Sequence, residues 1–136
     1  MQQDFDKLAK NGGLQNYKIS QLVEDSEDLG ELLFRKKLKT NQIRKFLDNI
    51  KRFKVEFARN KKDFDANKDQ LNILRYHLAY LAARQAKNDD PGPVEPLKKV
   101  LESAIKGVNE LEDFERLVQL IEAIIAYHKA AGGSNQ

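Results

Sequence analysis

Arg44, Lys45, Lys51, Arg52, Lys54 and Arg59 fall within one short stretch of the 136-residue chain, and on a helix the spacing of all but Lys54 gathers them into two parallel rows. At 100° per residue, Lys45, Arg52 and Arg59 recur every seven positions and stack into one row, while Arg44 and Lys51 line one flank. Lys54 turns partly toward the apolar side, where its stem can snorkel. From Arg44 to Arg59 the helical rise covers ~22 Å, enough to span several successive phosphates of a single strand or one face of a short duplex. Only Asp48 and Glu56 interrupt the stretch with negative charge, whereas a face that merely solvates a helix mixes signs. The chemistry on offer is neutralisation of a polyanion, sequence-independent and weakened by salt. Arg35, Lys36, Lys37 and Lys39 lengthen the patch at its N-terminal end.

Bond-making chemistry has no comparable set of residues. His77 lies inside an apolar run and His128 near the end of another; neither has an HxxxH or HExxH partner, and the chain has no cysteine. Both histidines read as structural or surface residues. Asp25 with Asp28, and Glu112 with Asp113 and Glu115, sit at predicted helix starts, where carboxylates complement the helix dipole. GGLQ and AAGGSNQ are too short to cradle a phosphate, and neither separates a strand from a helix. No nucleophile elbow or triad stands out. The expectation is a binding or assembly module with no catalytic residue, metal or cofactor.

Charge is unevenly distributed along the chain. Residues 1 to 34 hold 3 basic and 7 acidic side chains, residues 35 to 62 hold 12 and 2, and residues 63 to 136 hold 9 and 12. A segment of +10 thus sits in a chain of net charge +3, which points to a local anionic partner. The absence of cysteine suits a reducing cytoplasm, and no stretch approaches the ~20 apolar residues of a membrane span. A helix lying on a membrane surface is a weaker reading, since it needs no surrounding core.

The elements that must position these side chains are helices. A first helix is expected from Ile19 or Ser26 to Lys37, weakened by Gly30. Thr40 is placed to cap a second, whose stripe is Ile43, Phe46, Leu47, Ile50, Phe53 and Phe57 and whose end is near Ala58. NKKDFDANKD reads as a loop. A third helix, from Asp69 to about Asn88, is apolar nearly all round and predicts the central buried element. NDDPGPVEP reads as a linker, with Pro96 in the first turn of a short fourth helix running to Val108. Asp113 is expected to cap a fifth helix with the stripe Phe114, Leu117, Val118, Ile121, Ile124 and Ile125, ended by Gly132 and Gly133. The aggregate is an all-α, compact five-helix bundle of one domain: a loosely ordered segment over 1–17, a helical domain over 18–133 and a tail over 134–136.

Three segments then carry a resemblance. KLKTNQIRKFLDNIKRF (37–53), LRYHLAYLAARQ (74–85) and EDFERLVQLIEAIIAYHKAAGG (112–133) resemble, in order and spacing, the small helical subunit of type III-A CRISPR effector complexes, the Csm small-subunit family. Leu117 departs from that pattern, where a second aromatic is expected after Phe114. The resemblance implies a non-catalytic bundle stacked in several copies as a minor filament beside the backbone subunits, helping to hold guide RNA on target RNA in antiviral defence. It implies the backbone and large subunits as partners, with cleavage and signalling activities residing in them, and self-association as a dimer or filament. Carried onto this chain, Arg44, Lys45, Lys51, Arg52, Lys54 and Arg59 are the leading RNA contacts. Arg84, from YLAAR, is second, with an internal ion pair or hydrogen bond as its competing role; Arg75 shares that ambiguity, and Lys129 is weaker. Tyr76, Tyr80 and Tyr127 read as subunit contacts or internal caps, and Glu122 as a buried partner for an arginine. The alternative reading is a helical adaptor whose basic face docks an acidic protein surface.

Overall fold

Five helices carry the chain: α1 (Ile19–Arg35), α2 (Thr40–Arg59), α3 (Phe64–Gln85), α4 (Glu95–Lys106) and α5 (Leu111–Ala130). They come from a computed structural model that describes residues 13–59 and 64–132, and no strand occurs among the described residues. The fold is all-α, as the sequence predicts.

The helix at the centre is α5, not the third helix. It packs against α1, α2 and the N-terminal turn, while α3 packs against α2 and α4. Phe114, Leu117, Leu120, Ile121 and Ile124 are fully buried on it; each such side chain contributes about 1.5–3 kcal/mol relative to an exposed one. Leu117 fits without a second aromatic. Helix α3 buries Leu71, Leu74, Leu78 and Ala82 but leaves Ile73, Tyr76 and Tyr80 outside, so its all-round apolarity reflects one covered face and one open face. It also begins at Phe64, five residues before the predicted start.

Residues 1–12 of the segment expected to be loose lie outside the described residues. From Gly13 to Tyr17 the chain forms a short 3-10 turn (Leu14–Asn16) seated on the core, with Leu14 and Tyr17 buried. The Leu14 N–H donates to the Gly107 carbonyl at 2.9 Å, the Tyr17 hydroxyl donates to Asp25, and the Arg116 guanidinium donates to the Tyr17 carbonyl. Asp25 therefore serves that turn, also accepting from Gln21 at 2.9 Å, and not the helix start.

Two predicted caps are displaced. Glu110 is the N-cap of α5, and Asp113 is its third residue, the two forming a reciprocal capping box. Thr40 opens α2, but its hydroxyl lies 2.9 Å from His128 Nδ1, and His128 Nε2 lies 2.6 Å from the Leu38 carbonyl. A carbonyl only accepts, so Nε2 carries a hydrogen and donates it to Leu38, while Nδ1 shares a hydrogen bond with the Thr40 hydroxyl. Both side chains are fully buried, and this clasp ties the α1–α2 turn to the far end of the chain.

Gly30 is the crossing point of α1 and α5. A Cβ there would stand 2.7 Å from the His128 backbone nitrogen and 2.9 Å from the Tyr127 carbonyl carbon. Alanine would gain about 1 kcal/mol of helix propensity, yet forcing two packed backbones apart costs roughly 1–3 kcal/mol. Gly30→Ala is expected to lower the urea midpoint of unfolding; an unchanged or raised midpoint would show that the crossing yields.

Candidate nucleic-acid interface

Helix α2 forms because its apolar residues recur on one side: Ile43, Phe46, Leu47 and Ile50 are buried and Phe53 is half-buried, while the Phe57 side chain lies outside the described residues. Burying that stripe turns the cations outward. Arg44, Lys45, Lys51, Arg52 and Arg59 are all exposed, and Lys54 is half-buried, consistent with a stem lying along the core. The Arg52 guanidinium donates to Asn49, one turn back on the same helix.

The flank carrying Arg44 and Lys51 borders α5. Lys51 Nζ sits 3.8 Å from Glu122 Oε1, with both side chains about half exposed (54% and 50%). Glu122 is thus neither buried nor paired with an arginine, because its place in the sequence falls on the outer side of α5. An ion pair so open to water contributes little to stability and is easily exchanged for another anion.

Arg84 belongs to a different surface. It is exposed on α3 with its guanidinium 5.8 Å from the centre of the Tyr80 ring, a cation–π distance. Tyr76 and Tyr80 are 61% and 66% exposed, and with Ile73 they make a hydrophobic row along the open side of α3. Arg75 is half-buried and donates to Asn72 at 3.2 Å. Between Gln70 and Asn88 this helix and its end carry Arg75, Arg84 and Lys87 and no acid.

The N-terminal extension of the basic patch is more elaborate than its sequence signals. The α1 terminus closes with Lys37 N–H on the Phe34 carbonyl (2.9 Å) and Leu38 N–H on the Leu33 carbonyl (3.0 Å). This pattern places its left-handed residue at Lys37, with φ +65. Glycine is the usual occupant, and a residue with a Cβ there costs about 1 kcal/mol. Lys37→Gly is expected to stabilise the fold by about that amount in urea or thermal unfolding, a result that a neutral or destabilising outcome would contradict.

Among the described residues no group of three or more His, Asp or Glu side chains is placed to hold a metal ion, and no helix is long and apolar enough to cross a membrane. The fold and surface define a helical module that presents one cation-lined helix to the outside. The chain belongs to the Csm2 Type III-A family, whose model matches residues 16–134, and is a small subunit of a type III-A CRISPR complex. That family is one of structural subunits, so the chain partners other subunits of the effector complex. No curated protein and no solved structure is matched.

Proposed function

We propose that this chain is a non-catalytic RNA-contacting subunit that joins the minor filament of a cytoplasmic type III-A complex and stabilises guide RNA on target RNA in antiviral defence. The observation that carries this reading is the exposed cationic face of α2, where Arg44, Lys45, Lys51, Arg52 and Arg59 point outward with Lys54 at their margin. Their number and spread match repeated phosphate contacts, which position a strand without reading its sequence. Sequence choice then rests with base pairing between the two RNAs. Arg84 adds a cation on α3, and the row of Ile73, Tyr76 and Tyr80 offers a surface for a neighbouring subunit or a second copy of the chain.

Position-resolved RNA cross-linking of the chain, alone and within its complex, tests the assignment. Cross-links concentrated on residues 44 to 59 and stronger in the complex are expected. Their absence in both states would reduce the basic face to a dock for an acidic protein surface.

A further inference from the structure

Where α1 gives way to α2, the chain forms an open pocket of about 430 Å³ lined by Phe34, Arg35, Lys37, Leu38, Lys39 and Gly132. That volume lies within the ~300–1,000 Å³ range of small-ligand sites. The lining divides by chemistry. Phe34, 39% exposed, and Leu38 supply apolar surface, while Arg35, Lys37 and Lys39 are exposed cations and, among the described residues, no carboxylate takes part.

Two features hold this arrangement in place. The Phe34 ring meets His128 edge to face, with centroids 6.3 Å apart, and His128 is itself clasped between Thr40 and Leu38. Gly132, at φ +115, brings bare backbone up to the ring: a Cβ there would lie 3.1 Å from it. Lys37 meanwhile keeps a cation at a backbone position that favours glycine, a kind of local strain that clusters at functional sites.

We propose that this pocket captures one unpaired nucleotide of an RNA strand, its base against Phe34 and its phosphates on Arg35, Lys37 and Lys39. The inference rests on the RNA-contacting reading of α2 and adds a base contact at the N-terminal end of the same cationic patch. An acidic peptide would use the cations and leave the ring idle; an apolar peptide would leave three cations without counter-charge. A nucleotide satisfies both halves, since aromatic side chains stack on any base.

Fluorescence anisotropy with the full chain and two RNAs decides the matter: a short blunt duplex, and the same duplex carrying one overhanging 2-aminopurine nucleotide. The overhang is expected to tighten binding roughly fivefold or more and to change 2-aminopurine emission on binding. Phe34→Leu, with helicity unchanged by circular dichroism, is expected to remove that preference while blunt-duplex affinity stays the same; Phe34→Tyr is expected to keep it. Equal binding of both RNAs by the wild type, or a preference that survives Phe34→Leu, overturns the pocket. Blunt-duplex binding that is lost on charge reversal at Arg44 and Lys51 would still uphold α2. A wild-type chain that binds neither RNA overturns both.

Discussion

Asp113→Ala is expected to lower the unfolding free energy by about 3 kcal/mol or more. The carboxylate is fully buried and accepts three backbone N–H groups: Gln15 at 2.7 Å on Oδ1, with Asn109 at 2.9 Å and Glu110 at 3.0 Å on Oδ2. Hydrogen bonds to a charged acceptor contribute about 1.5–3 kcal/mol each, and truncation leaves three donors with nothing to receive them. Two of those donors open the central helix and the third belongs to the N-terminal turn, so one side chain fixes both to the same point. Asparagine is expected to rescue only part of the loss, because its amide oxygen can accept on one side of the site while its NH2 group faces an N–H on the other. Urea unfolding at neutral pH measures the effect; a change under 1 kcal/mol would mean that water or a shifted Glu110 takes over the donors.

Reversing Arg44 and Lys51 to Glu together is expected to weaken binding to generic RNA roughly 100-fold at ~0.1 M salt and to flatten the dependence of log affinity on log salt by about two contacts. Both residues sit on the flank of α2 beside α5, and Lys51 is already close to Glu122. The reversal therefore also turns one attractive pair into a repulsive one, on a surface too exposed for this to move stability much. Helicity and unfolding midpoint should hold while affinity falls. Binding that is unchanged at low salt would remove α2 from the interface.

How much of this was readable in advance depends on how locally each feature is encoded. The stripes of α2 and α5 are legible because their apolar residues recur at the helical period, and turning the α2 stripe inward sends five of its six cations outward, with Lys54 at the margin. The early start of α3 is not, because NKKDFDANKD has no apolar stripe and is rich in Asp and Asn, which are weak helix formers. Apolarity on every side of α3 looked like centrality; in the isolated chain it marks Ile73, Tyr76 and Tyr80 left uncovered. Thr40 looked like a cap because capping is a local property, whereas its partner, His128, lies 88 residues away. The pocket is hidden for the same reason, since Phe34 and Gly132 meet only after α1 and α5 have crossed at Gly30. An exposed Phe followed at once by the run RKKLK was the one signal on offer.

The placement of α5 also sets the order in which the molecule can be made. Synthesis runs from the N-terminus, and α1, α2 and the leading turn emerge first; yet all three pack on the helix that emerges last. Until Leu111–Ala130 has left the ribosome, Leu14, Leu33 and Ile43 have no surface to bury against there, and the His128 clasp cannot close. Such long-range closure delays the final step of folding and leaves nascent apolar faces open to misassociation. A chain cut short before Leu111 would lack the helix on which α1, α2 and the N-terminal turn all pack.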